Sequence, residues 1–107
     1  MDKDGEILAR AAKEKDFFGS VFYKDSLDDW TLAKELGEFL IRIEPDSEIL
    51  GHALLARACR HLGDAKRAFE ELQQCRNRIV RGELTASEKE LFLPVLAKEE
   101  ELLSGGR

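Results

Sequence analysis

The residues of this chain that could perform chemistry are two histidines and two cysteines between positions 52 and 75. His52 and His61 are nine positions apart, which places them on nearly opposite sides of a helix and prevents joint metal binding. An antiparallel hairpin turning at Gly63 would set His52 level with Cys75. That pairing supplies two ligands, whereas zinc sites need three or four from the protein. The pattern therefore favours a packed or surface histidine over a metal ligand.

The cysteines and the turn residues do not form a redox or catalytic motif. Cys59 and Cys75 would be separated by about eight residues of helix rise, near 12 Å, beyond the reach of a disulfide. Both are therefore expected in the core. His61 and Asp64 flank the turn, where a helix-terminal cation and a capping carboxylate are the expected roles. The sequence has no Gly-rich phosphate loop and no C-x-x-C or H-E-x-x-H motif. We expect no enzyme activity, metal or cofactor.

Length and composition indicate a single helical domain covering 1–107. The chain is 43% hydrophobic and 36% charged, with a formal net charge of −5, which suits a protein with charged outer faces. No apolar run approaches the roughly 20 residues that cross a bilayer. The acidic beginning, MDKDGEIL, lacks the order of a secretory signal. We therefore expect a cytoplasmic protein that does not bind membranes.

The spacing of apolar residues predicts five helices and no strand, which is an all-α fold. The predicted helices cover about 5–23, 29–43, 47–61, 65–81 and 85–103. Asp28 should cap the second and Asp64 the fourth, while Pro45 should end the second. Two overlapping capping boxes open the last helix; these are Thr85-x-x-Glu88 and Ser87-x-x-Glu90.

Two positions leave alternatives open in this scheme. Gly19 falls inside the first helical pattern, so it indicates either close backbone packing or a break near Asp16. Pro94 falls inside the last pattern and should kink or split that helix, because it removes a backbone donor and crowds the preceding turn.

A short motif occurs twice at a spacing of 35 residues. Leu27-Asp28-Asp29-x-x-x-Ala33 matches Leu62-Gly63-Asp64-x-x-x-Ala68, as expected of two helical hairpins with tight turns and a small residue at the closest approach. The motif resembles the tetratricopeptide repeat (TPR). Residues 48–81 fit that family better, at His52, Leu55, Ala56, Cys59, Ala68 and Leu72.

The remaining parts of the chain depart from the family pattern. Val80 stands where the family places a closing proline, and 14–46 is a degenerate repeat with Ser20, Lys24 and Gly37 at places normally held by larger apolar groups. The resemblance implies two hairpins in a short superhelix, with 85–103 as a capping helix. An unrelated helical bundle is the alternative.

The resemblance also implies a function, namely a scaffold or adaptor that holds a peptide or partner protein. The first helix of each TPR pair lines a concave groove. In this chain the groove would be formed by Lys15, Phe18, Phe22, Leu50, Ala53, Arg57, Arg60 and His61, with Asp25 or Ser26 at its edge. Such a surface suits an acidic or C-terminal peptide, with Arg57 as a fork for a carboxylate. The alternative is that Phe18 and Phe22 are core and Arg57 pairs with an acidic neighbour.

The sequence also bears on other kinds of partner. Two repeats form a short stack with exposed ends, which favours a homodimer within a larger assembly. A small chaperone of the secretion type is a further TPR function. Nucleic-acid binding through the basic stretch 51–81 is not expected, because its flanks are acidic and no aromatic–basic motif is present.

Overall fold

The computed structural model describes residues 3–14, 16–43, 48–82 and 84–105 of the chain. The helical elements are α1 (Lys3–Lys13), α2 (Phe17–Gly19) continuing into a π-helical turn (Ser20–Lys24), α3 (Trp30–Ile43), α4 (Glu48–His61), α5 (Ala65–Val80) and α6 (Ala86–Gly105). No strand occurs within these ranges, so the predicted all-α class is confirmed. Helices α1, α3, α4 and α5 pack on one another in that order, and α6 returns to contact both α5 and α4.

The predicted first helix is broken, which decides between the alternatives left open for Gly19. α1 ends at Lys13, and Asp16 takes a left-handed conformation with φ 53° and ψ 57°. The Asp16 carboxylate accepts from the amide of Gly19 at 3.3 Å and caps α2. A side chain at position 19 would clash with that carboxylate. The break explains why the described ranges contain six α-helices where five were expected.

The π-helical turn ends at Asp25, a second non-glycine residue with positive φ (51°). The carbonyl of Ser20 accepts from the amide of Asp25 and from the amide of Ser26, the latter at 3.0 Å. Single π-helical turns inside helical segments often occur at functional sites. The turn brings the Asp25 carboxylate to the C-terminal end of α4.

Helix caps were largely predictable from local sequence. Asp64 accepts from the amide of Arg67 at 3.1 Å and caps α5 as predicted. The prediction for α3 is wrong by one residue, because that helix begins at Trp30 and its amides are capped by Asp29, which accepts from Leu32 at 3.2 Å. The predicted end at Pro45 lies outside the described residues.

The first capping box opens α6. The amide of Thr85 donates to Glu88 Oε1 at 2.8 Å, and the amide of Glu88 donates to Thr85 Oγ1 at 3.2 Å. Ser87, of the second predicted box, lies inside the helix. Pro94 does not split α6, which runs unbroken from Ala86 to Gly105.

Two glycines bring α3 and α4 into backbone contact. A Cβ added at Gly37 would lie 2.8 Å from the carbonyl oxygen of Gly51, and one added at Gly51 would lie 2.9 Å from the carbonyl oxygen of Gly37. A larger residue at either position would push the helices apart. This contact explains the glycine at position 37, where the TPR pattern has a larger group.

The core surrounds α4, whose residues 51–59 are all buried. Apolar side chains reach it from every neighbouring element, including Ile7, Val21, Leu36, Leu72, Cys75, Phe92 and Leu96. None of the described helices is long and apolar enough to span a bilayer. The central position of α4 leaves its arginines surrounded by other elements.

Candidate protein-binding site

The residues predicted to line a groove are distributed over several environments. Ala53, Arg57 and Phe22 are buried, Leu50 is partly buried, and Phe18 is 45% exposed. Lys15 lies outside the described residues. The remaining two, Arg60 and His61, have side chains that are 18% and 25% exposed. The predicted stripe is therefore mostly enclosed by the protein itself.

Arg57 is held by groups of the same chain. Its Nε donates to Glu99 of α6, and its Nη1 donates to the carbonyl oxygens of Val21 and Phe22 at 2.8 and 3.1 Å. The side chains of Arg57 and Glu99 are 2% and 1% exposed. This is the pairing with an acidic neighbour that the sequence left as an alternative. In this arrangement the Arg57 guanidinium tethers the π-helical turn and α6 to α4.

Arg60 extends the same network toward solvent. Its Nε donates to Glu99 Oε2 at 2.6 Å, and its Nη2 donates to Glu99 Oε1 at 3.0 Å and to Asp25. Partial burial alone would lower the pKa of Arg60, but its hydrogen bonds to Glu99 and Asp25 outweigh that effect and raise the pKa. Two guanidinium groups thus face two carboxylates.

Asp25 connects this network to an aromatic pair. Burial alone would raise the pKa of the Asp25 carboxyl, but hydrogen bonds from His61 and Arg60 and the charge of Arg57 hold it below its usual value. His61 Nε2 lies 2.7 Å from Asp25 Oδ1. The His61 ring stacks on Trp30, with centroids 3.9 Å apart and planes 4° from parallel.

Glu99 is not among the partners predicted for the arginines, although the sequence carries one signal of this role. Glu99 follows Phe92 and Leu96 at helical spacing, so it is an acidic residue on the apolar stripe of α6. A buried carboxylate requires a charged partner. No comparable feature of the sequence indicated that Tyr23 would be exposed or that Trp30 would stack on His61.

The predicted alignment of His52 with Cys75 is shifted by about one helical turn, because His52 contacts Glu71 and Cys75 contacts Ile49. His52 Nδ1 lies 3.1 Å from Glu71 Oε2, and Cys75 Sγ lies 3.9 Å from the carbonyl oxygen of Ile49. His52 is packed, and both cysteines are free and buried, as predicted. Burial and the charge of Glu71 raise the pKa of the Cys75 thiol to about 12. Across the described ranges, no cluster of three or more His, Cys, Asp or Glu side chains could hold a metal ion.

A cavity of about 520 Å³ lies beside His52 between α3 and α5. Its walls carry charged groups of both signs; Arg67 and Glu38 pair at 3.5 Å, and His52 Nδ1 lies 3.1 Å from Glu71 Oε2. Because basic and acidic groups are mixed around the cavity, it presents no single chemistry to a ligand.

A second cavity of about 330 Å³ is an apolar cleft between the π-helical turn and α6. One side carries Phe22 and Tyr23, and α6 contributes Leu91, Pro94 and Val95. Tyr23 is 76% exposed, and Leu91 is 37% exposed. We call this the π–α6 cleft. It retains Phe22 and Arg57 from the predicted groove and adds an exposed aromatic ring.

Aromatic packing supports the wall of the π–α6 cleft from behind. Phe22 meets Phe92 of α6 edge to face at 6.2 Å between ring centroids, and its other neighbour, the half-exposed Phe18, stacks parallel at 6.4 Å. The rings thereby fix the separation of the two walls.

Comparison with protein-family models, with curated proteins and with solved structures gives no match to this chain.

Proposed function

We propose that this chain is a protein–protein interaction module, a scaffold or adaptor that holds a segment of a protein in the π–α6 cleft. The observation that carries the proposal is the exposure of Tyr23 (76%) beside Leu91 and Pro94. Exposed aromatic side chains at the edge of a preformed apolar cleft are typical anchors of protein interfaces.

The cleft shares Phe22 and Arg57 with the groove that the TPR resemblance implies. In a TPR-like arrangement, α2 with the π-helical turn is the first helix of the degenerate repeat, α3 its second, and α4 with α5 the better repeat. The packing of α3 on α4 and of α4 on α5 supports the second half of this assignment, whereas in the first half α3 packs chiefly on α1 rather than on α2. α6 then acts as the capping helix, and its outer face forms the second wall of the cleft.

The proposal rests on apolar contact more than on charge. Glu99 and Asp25 already occupy the positions at which a ligand carboxylate would meet Arg57 and Arg60. An acidic or C-terminal peptide would have to displace a carboxylate that is itself buried. An apolar segment needs no such displacement, and for this reason we place the binding energy at Tyr23 and Leu91.

We propose that the protein performs this function in the cytoplasm. Site-specific photo-crosslinking in cells that express the protein tests the function. A photoreactive phenylalanine analogue is placed at Tyr23 in the cleft or, as the matched control, at Phe69, which is 46% exposed on α5. We expect protein adducts from position 23 in clear excess over position 69. Adducts to any protein, including a second copy, support the module. Equal or absent adducts at the two positions would refute it.

A further inference from the structure

We infer that the segment held in the π–α6 cleft is α6 of a second copy of this chain, packed antiparallel across a twofold axis at Pro94. The inference rests on the proposed function, since it names the occupant of the same cleft. It concerns the outward face of α6, which runs along the cleft and which no described element of the chain covers.

The outward face of α6 is a continuous exposed stripe. Phe92, Val95, Leu96 and Glu99 face the core and are buried. The opposite side carries exposed residues at the three- and four-residue steps of a helix; these include Glu90, Leu91, Pro94, Ala97, Lys98 and Glu101. The stripe extends over three helical turns, so it offers an area on which a second helix could lie along its length.

The charges on this stripe are symmetric about Pro94. Glu90 precedes Pro94 by four residues, and Lys98 follows it by four. When two copies of α6 run antiparallel across a twofold axis at Pro94, Glu90 of each copy faces Lys98 of the other. The stripe therefore pairs its opposite charges with an identical stripe, twice in one interface.

The sizes of the side chains follow the same symmetry. Leu91 and Ala97 each lie three residues from Pro94, on opposite sides. The antiparallel pairing sets the half-exposed Leu91 of one copy over the small Ala97 of the other. A large side chain opposite a small one allows two helices to approach closely. Charge and size thus indicate one register.

Pro94 leaves one backbone carbonyl oxygen of α6 without its helical hydrogen-bond donor, and the second copy can supply a donor. Proline has no amide hydrogen, so the carbonyl oxygen of Glu90, four residues earlier, lacks its usual donor in the helix. Lys98 of the second copy would lie beside Glu90, and its ammonium has three hydrogens. It can donate to both the carboxylate and the carbonyl oxygen of Glu90.

Charge variants studied by sedimentation equilibrium at several concentrations test the inference. We expect the wild-type chain to dimerise reversibly. Glu90→Lys alone and Lys98→Glu alone each place like charges opposite one another twice, and each should weaken dimerisation about tenfold or more. An equimolar mixture of the two variants should associate as the wild type does, because the variants complement each other. The double variant Glu90→Lys/Lys98→Glu should also dimerise as the wild type does, because its opposite charges again face one another.

Matched controls separate pairing from net charge. Glu70→Lys and Lys66→Glu change the charge by the same amounts on the exposed face of α5 and should leave dimerisation unchanged. All four positions are exposed, so helix content by circular dichroism should not change.

Two results would overturn the inference. One is a wild-type chain that stays monomeric at the highest soluble concentration; the other is a dimer whose single variants are unaffected or whose mixture does not recover. Crosslinks from position 23 to a different protein, with a monomeric chain, would reject the second copy and leave the interaction module intact. Failure of both experiments would reject the module as well.

Discussion

Arg57 of α4 and Glu99 of α6, which are 42 residues apart, form an ion pair whose side chains are almost completely enclosed. The same guanidinium also binds the carbonyl oxygens of Val21 and Phe22. The Arg57 side chain therefore connects α4 to both the π-helical turn and α6. The walls of the π–α6 cleft, which are the π-helical turn and α6, are held together behind the cleft by this contact.

Removal of the Glu99 carboxylate should destabilise the protein strongly. We expect Glu99→Ala to lower the free energy of unfolding by about 3–5 kcal/mol, because the buried Arg57 would lose its hydrogen-bonded carboxylate and keep only Asp25, whose Oδ1 lies 3.6 Å from Arg57 Nε. Urea denaturation followed by circular dichroism measures the change. The matched control is Glu100→Ala on the same helix, where Glu100 pairs with Arg76 and both side chains are over a third exposed. That change should cost less than about 1 kcal/mol. Equal losses would contradict the assigned role of Glu99.

A double-mutant cycle should reveal coupling between Arg57 and Glu99. Arg57→Met removes one of the two guanidinium groups that bind Glu99 and leaves Arg60 as its partner, and adding Glu99→Leu removes the buried carboxylate as well. We expect the double variant to be more stable than the sum of the single losses predicts, with a coupling energy of about 2–3 kcal/mol. Additive losses would show that the two side chains act independently.

The Asp25 carboxylate should make stability depend on pH in the acidic range. Its pKa in the folded chain lies below the ordinary value of 3.8, so folding favours the ionised form. The stabilisation is complete above the unfolded-state pKa and is lost as pH falls through the folded-state pKa. Asp25→Asn should cost about 1–2 kcal/mol at pH 7, and this difference from the wild type should shrink below about pH 4. A difference that grows on acidification would contradict the sign.

The cysteine thiols should report unfolding of the core. Cys59 and Cys75 are buried and their pKa values are raised, so neither thiolate is available in the folded chain at neutral pH. We expect a thiol-specific reagent to react only as fast as the protein opens, and to react quickly in denaturant. Rapid labelling of Cys75 under native conditions would place it outside the core. Cys75→Ala, which leaves Cys59 as the sole thiol, assigns the rates.

Local features of the sequence determined much of this fold. Residues three or four positions apart meet on a helix whatever its surroundings, so apolar spacing located α3 to α6, although it merged α1 and α2 into one helix. Caps depend on neighbouring backbone amides, which is why Asp64 and the Thr85–Glu88 box were predictable. The burial of Cys59 and Cys75 followed from their place on apolar stripes. The misplaced cap at Asp28 shows the resolution of such signals, which is about one residue.

The tertiary structure alone decided what the arginines of α4 do. Arg57 and Arg60 lie on a stripe that the sequence shows as available to a ligand, but α6 and the π-helical turn supply their partners. No local spacing relates Arg57 to Glu99, because their meeting depends on where helices distant in the chain come to pack. The same is true of the π–α6 cleft: its residues were all readable in the sequence, and only the packing brought Tyr23 beside Leu91.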